Sequence, residues 1–232
     1  MRSAPQVAIM NCQEIPGYEQ QRVAALHRYC VLDTPPEPAF DRLTHLAHHM
    51  LRTPTALISL VECDRQWFKS RVGHDASETP LELSFCVYAV QAKDTLVVPD
   101  ARKDARFADN PLVTGPPGIR FYVGAPLITD DGFALGTICA IDYEPRPPPD
   151  SAQLESLRRL ADCVVSALEQ RLTARELAAR QSDLSERSTM LQTTINAVSQ
   201  GLGAYDADLK LVARNDQFLT LLDLPPELGE LG

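Results

Sequence analysis

The sequence predicts an α+β fold: a single antiparallel sheet flanked by helices, a long C-terminal helix of coiled-coil type, and the truncated start of a second domain. Three observations carry this. Short apolar runs separated by turn signals recur between residues 55 and 141. Helical periodicity brackets them on both sides. Beyond residue 150 the pattern changes to a helical one that continues for more than ten turns' worth of apolar spacing before strand signals return.

The elements follow in order. Residues 1–18 lack periodicity and are expected to be a flexible tail. A helix is expected over Glu19–Tyr29, with Val23, Leu26 and Cys30 on one face. Thr34-Pro35-Pro36-Glu37 has the order of a helix start, with Thr34 as N-cap, proline at the first position and Glu37 closing a capping box. Phe40, Leu43, Ala47 and Met50 then mark the buried face of that helix. Thr55–Val61 is a buried strand, Glu62–Arg65 a turn, and Gln66–Arg71 the returning strand. Ser84–Val90 is a short helix, and Leu96–Val98 a strand stopped by Pro99. Residues 102–118, rich in Asp, Asn, Pro and Gly, form a long loop. Gly118–Leu127 and Ala134–Ile141 are two strands joined by a turn at Thr129–Gly132. Asp150 caps the long helix, with Gln153 at the capping-box position. Leu154, Leu157, Ala161, Val164 and Leu168 form a seam that fails at Arg171 and Arg175. It restarts out of phase as Leu177, Leu184, Leu191 and Val198. A hairpin over 201–214 and a helix from Asn215, ended by Pro225-Pro226, open a second domain that about thirty residues cannot complete.

Composition bounds the function. The chain has 232 residues, 44% hydrophobic and 23% charged, with a formal net charge of −9. That apolar share excludes a disordered acidic tail, and the negative charge excludes a nucleic-acid binder held by bulk charge. No run approaches the roughly 18 apolar residues of a membrane span, and the N-terminus has no apolar signal core. A cytoplasmic protein is therefore expected. The cysteines at 12, 30, 63, 86, 139 and 163 show no metal spacing and are expected as reduced thiols, with Cys139 and Cys163 in the core. His45 and His49 lie one turn apart, but on the solvent side and without a carboxylate ligand, so no metal is assigned.

Specific runs carry a family resemblance. Val31-Leu-Asp-Thr-Pro-Pro-Glu37, Ala56–Leu60, Asp64-Arg-Gln-Trp-Phe-Lys-Ser70, Ser84-Phe-Cys86, Asp100-Ala101, Arg106-Phe107, Asn110-Pro-Leu112, Ile119–Tyr122, Gly124-Ala-Pro-Leu127, Asp131-Gly132, Leu135-Gly-Thr137 and Ile141-Asp142 stand in this order. Over residues 19–172 they resemble a GAF domain of a bacterial signal-transduction sensor. Residues 173–198 then form a signalling coiled-coil linker. Gly201-Leu-Gly, Tyr205-Asp206, Leu211-Val212, Asn215, Phe218 and Leu222–Pro226 resemble the start of a PAS domain, over 199–232. Such input domains precede a histidine kinase or a cyclic-di-GMP enzyme, and the effector motifs of neither are present in this chain.

The resemblance implies a ligand pocket between the sheet and the loops 72–95 and 102–118. The candidate lining is Trp67, Phe68, Cys86, Arg106, Asn110, Phe121 and Tyr122, with Asp104 and Arg120 nearby. A second reading of the same aromatics is plain core, with Asp104–Arg106 pairing and Asn110-Pro111 starting a turn. Bilin attachment is not expected: Val87 and Tyr88 follow Cys86 where a Cys-His pair is required, and the Asp-Ile-Pro signature is missing. The Asn-Lys-Phe-Asp-Glu signature of cyclic-nucleotide binding is missing too, and nothing supports haem. The leading expectation is a non-catalytic sensory module. It would sense a small molecule, or serve as a dimerisation scaffold, and relay a change through a helix to the PAS domain and an absent effector. The homodimer would form through Leu154, Leu157, Val164, Leu168, Leu177, Leu184 and Leu191. The alternative is a GAF-type thiol reductase of methionine sulfoxide using Cys86 and Cys63.

Overall fold

The structure, a computed structural model, describes residues 17–208 and 210–222. Most of the expected tail, Cys12 and Pro225-Pro226 lie outside these residues. The chain divides into two compact units, with the boundary between Leu172 and Thr173.

In the first unit, α1 (Gly17–Arg28) and α2 (Pro38–Leu51) lead into β1 (Thr55–Val61), β2 (Arg65–Val72) and β3 (Glu78–Pro80). Next come α3 (Cys86–Ala92), β4 (Leu96–Val98), α4 (Pro111–Thr114), β5 (Phe121–Ile128) and β6 (Ala134–Asp142). The six strands form one antiparallel sheet in the order β3-β2-β1-β6-β5-β4. α5 (Ser151–Asn196) follows.

Alternation along the strands sorts side chains into two layers. Phe121, Val123, Ala125 and Leu127 of β5 face one side and pack with Leu26 of α1, Phe40 and Ala47 of α2, and Leu157, Ala161, Val164, Val165 and Leu168 of α5. Tyr122 of β5, Leu57 and Val61 of β1 and Cys139 of β6 face the other side, under α3 and the loop that carries α4. The side chain of Arg22, 1% exposed, fixes α1 to the sheet by donating to the Val61 carbonyl at 2.8 Å, its charge met by Glu19.

Several expectations are corrected. Thr34 is not the N-cap of α2. The helix begins four residues later with Pro38 at its first position, and the Thr34 hydroxyl donates instead to the Val31 carbonyl. Cys30 has left the α1 face: it sits past the helix end at φ 44° and is exposed. Cys163 is exposed as well, because it lies on the side of α5 away from Ala161 and Val164. Cys63 is disulfide-bonded rather than reduced. Asp150 and Gln153 do form the expected box, each accepting from the other's backbone N–H, at 2.8 and 3.0 Å.

α5 changes character along its length. Leu157, Val164 and Leu168, expected on an intermolecular seam, are buried in the core of their own unit, with Leu154 packed at its margin. Their spacing satisfies the sheet. Leu177, Leu184 and Leu191 behave differently, at 65%, 66% and 63% exposed. In the second unit β7 (Gly203–Tyr205) and β8 (Leu211–Arg214) form a hairpin, followed by α6 (Asp216–Leu222). Asn215 is fully buried there: its amide donates to the Ile195 and Gln200 carbonyls, and its oxygen accepts from Leu202 and Phe218 N–H.

Candidate functional site: a cavity under the outer sheet face

A cavity of about 60 Å³ lies on the sheet face opposite α5, walled by Leu57, Phe68, His74, Phe85, Cys86, Tyr122 and Ile141 among others. β1, β2, β5 and β6 supply its floor, while the segment 79–86 and residues 112–119 close its sides. Three of the seven expected residues, Phe68, Cys86 and Tyr122, are on the wall. Trp67 and Phe121 are not, because period-two alternation turns them to the helix-packed layer.

Arg106 and Asn110 also stand outside the cavity, and both hold the loop above it. Arg106 makes a two-pronged ion pair with Asp104, at 2.6 and 2.9 Å, and lies over the ring of Phe107 at 5.2 Å. Asp104, pulled below the ordinary carboxylate range chiefly by that guanidinium, is committed to the pair. The Asn110 side chain caps α4 by accepting from Leu112 N–H at 2.9 Å and donates to the Leu83 carbonyl at 3.2 Å. Arg120 donates to the Val113 carbonyl at 2.8 Å. The second sequence reading of this loop, pairing and turn, describes these residues.

The wall is neutral. It carries no Lys, Arg, Asp or Glu. The Ser84 hydroxyl donates to the Gln66 side-chain oxygen, so these two polar groups satisfy each other. The buried Nε2 of His74 has no hydrogen-bond partner, and its ring stands edge-on to Phe68 at 5.3 Å. Burial, then the neighbouring Arg71, push the His74 pKa down, which favours the neutral imidazole. His74 escaped the sequence reading because its segment is polar and without periodicity. Its placement follows from β3, a three-residue edge strand that ends at Pro80 and is too short to leave a pattern.

Beneath α3 lies a buried polar group of Ser59, Cys86, Tyr122, Thr137 and Cys139. The Cys86 sulfur accepts from the Thr137 hydroxyl at 3.0 Å and the Tyr122 hydroxyl at 3.2 Å, and faces the Cys139 sulfur at 3.9 Å. Gly124 makes room: a Cβ there would meet the Tyr122 hydroxyl at 2.2 Å.

A polar clasp joins the sheet to α5 on the opposite face. Lys69 is the extra residue of a bulge in β2, opposite Ile58 and Ser59. Its fully buried ammonium donates to Glu37 at 2.6 Å, to the Thr34 hydroxyl and to the Pro35 carbonyl. Glu37 also accepts from Arg171 of α5 at 2.9 Å, and Arg171 donates to the Tyr29 and Cys30 carbonyls. Burial alone would raise the Glu37 pKa, but the Lys69 and Arg171 bonds hold it below the ordinary value.

The architecture is a helix-flanked antiparallel sheet with a cavity on the face opposite α5, and comparison with known proteins gives the family. The GAF domain model matches residues 35–168, and the chain belongs to the GAF domain family. Residues 195–232 match the model of a PAS fold. Cyclic di-GMP phosphodiesterase PA2567 of Pseudomonas aeruginosa is 43% identical over 148 residues, which is 62% of this chain and 25% of that protein. The chain thus spans about a quarter of that relative's length. Among solved structures, the blue-light absorbing form of the Thermosynechococcus elongatus PixJ GAF domain aligns with TM-score 0.50 at 14% identity, covering 72% of this chain and 96% of that one. Bacteriophytochrome RpBphP3 from R. palustris aligns with TM-score 0.51 at 9% identity, covering 81% and 44%. At these identities the likeness is one of fold. Among the described residues, no helix is long and apolar enough to cross a membrane.

Proposed function

We propose that this chain is the input portion of a signalling protein, in which the cavity takes a small neutral molecule and its occupancy biases α5. One observation carries the reading: consecutive residues of β2 face both places. Phe68 walls the cavity, and Lys69 begins the clasp that runs through Glu37 to Arg171. A ligand that moves Phe68 strains the bulge beside it, and the bulge holds α5 through two ion pairs. A few kcal/mol of differential affinity suffices to shift such an equilibrium.

The wall restricts the ligand class. An anion would be desolvated there without a cation to meet it, at a cost of several kcal/mol. A compact apolar molecule with one hydrogen-bonding group suits the space, with His74 Nε2 as its polar contact. The kinship with a cyclic di-GMP phosphodiesterase supports an output acting on cyclic di-GMP over a histidine kinase. The exposed Leu177, Leu184 and Leu191, seven apart, support a helix-to-helix homodimer beyond the clasp.

Phenol is a suitable probe. It is expected to raise the melting temperature saturably and to change amide exchange around Arg171. Ile141→Phe, which fills the cavity, abolishes both effects, and Lys69→Met abolishes only the second. An equal melting shift in Ile141→Phe would place binding elsewhere. An unchanged exchange response in Lys69→Met would refute the clasp as the route.

A further inference from the structure

We propose that Cys86 and Cys139 form a peroxide-reactive dithiol, with Cys86 as the attacking thiol and Cys139 as the resolving one. The two sulfurs stand 3.9 Å apart, both wholly buried and both free. Their surroundings are not those of inert core cysteines. A thiol sulfur is a weak acceptor, and burying hydroxyls to donate to it gains little against their desolvation. Here Tyr122 and Thr137 both donate to Cys86. The Ser59 hydroxyl, 0% exposed and paired in register with Thr137, has no hydrogen-bond partner at all. Three hydroxyls gathered about one sulfur suit a thiolate, or a sulfur bearing oxygen, far better than a neutral thiol.

Position assigns the roles. Cys86 is on the cavity wall, so a molecule the size of hydrogen peroxide that enters the cavity comes up against this residue. Cys139 is not on the wall: it lies behind, in the central strand β6. The electrostatics agree. Burial pushes the Cys86 thiol up, but the facing Cys139 thiol and then the donated hydroxyls of Thr137 and Tyr122 bring it down to about 6. The same contact with Cys86, and then burial, push Cys139 up.

The chemistry balances. The Cys86 thiolate attacks one oxygen of a hydroperoxide, ROOH. An S–O bond forms at the terminal, hydroxyl-bearing oxygen, the O–O bond breaks, and the leaving alkoxide takes up the proton that Cys86 released on ionising and departs as ROH. The Cys139 sulfur then attacks the Cys86 sulfenic acid. An S–S bond forms, the S–O bond breaks, and hydroxide leaves as water with the Cys139 proton. Two thiols are oxidised by two electrons and one hydroperoxide is reduced. To close the bond, the sulfurs must approach to about 2.05 Å, drawing the first turn of α3 toward β6.

The test uses the full chain with Cys30→Ser and Cys163→Ser, which removes the exposed cysteines among the described residues, and hydrogen peroxide as the probe. Peptide mass spectrometry is expected to show an 86–139 disulfide that dithiothreitol reverses, formed faster than glutathione oxidises under the same conditions. Cys139→Ser leaves a sulfenic acid on Cys86 that dimedone traps. Tyr122→Phe slows the reaction about tenfold, the worth of one charge-assisted hydrogen bond. A melting curve for each variant separates loss of reactivity from loss of fold. The proposal fails if Cys86 in a folded chain reacts no faster than glutathione. It also fails if Cys86 oxidises without linking to Cys139.

Discussion

Glycine at position 124 shows how much a single side chain decides. The position lies on the cavity face of β5, where alternation would call for an inward residue, yet a Cβ would stand 2.2 Å from the Tyr122 hydroxyl and 3.1 Å from the Cys139 Cβ. Gly124→Ala is expected to displace the Tyr122 hydroxyl from Cys86 and to destabilise the unit by about 1–3 kcal/mol. Urea denaturation measures the second effect and Cys86 reactivity the first. Cys86 and Tyr122 were legible as pocket residues through the family resemblance, Tyr122 as a large aromatic on an expected strand and Cys86 near the start of an expected short helix. The partners that give them their character were not. Thr137 and Ser59 are small polar residues inside apolar runs, where sequence alone offers no reason to single them out. Register between β1 and β6 brings them together across 78 residues of chain.

At the level of elements, the clasp among β2, the segment before α2, and α5 permits a test in acid. The folded pKa of Glu37 is lowered, so its contribution is complete above the ordinary glutamate value and is lost as pH falls through the lower folded one. Glu37→Gln is expected to cost about 2 kcal/mol at pH 7, since it strips charge from two donors, one of them buried. That difference should shrink as pH falls from the ordinary glutamate value through the lower folded one, where the wild-type carboxyl itself protonates. Lys69→Met should cost less, about 1 kcal/mol, because it removes the buried charge and leaves Glu37 paired with Arg171. Parallel urea titrations at pH 7 and pH 3 check both. Elements whose signal was local were readable in advance: β1 and β4 fall on the expected residues, and the Asp150–Gln153 box starts α5. Thr34 misled because its motif was complete but served another purpose. The Pro35-Pro36 pair keeps that stretch extended, and the Thr34 hydroxyl is taken by Lys69.

On the scale of the whole molecule, α5 serves two masters in succession. Leu157→Ala is expected to destabilise the first unit by about 2–5 kcal/mol by opening a cavity against the sheet. Leu184→Lys should leave its unfolding within about 0.5 kcal/mol of wild type and weaken self-association. Denaturation and sedimentation on the same samples separate the two outcomes, and an unaltered self-association would remove the second half of α5 from the interface. The sequence presented both halves as apolar repeats. Only the position of the sheet distinguishes a stripe consumed inside a domain from one left for a partner. The phase break at Arg171 was the readable sign of the change, and its cause is the anchorage of that arginine to Glu37 and to two backbone carbonyls.

That anchorage has a consequence for how such a chain can be lengthened or spliced. Every residue inserted after Leu172 turns all that follows by about 100° and advances it by about 1.5 Å, while removing nothing from the layer around Leu157 and Leu168. Additions of seven restore the original azimuth to within about 20°, whereas additions of two point the same leucines to the far side. Fusions that change the rear half of α5 should therefore be sorted by the remainder of the added length on division by seven, the spacing of Leu177, Leu184 and Leu191.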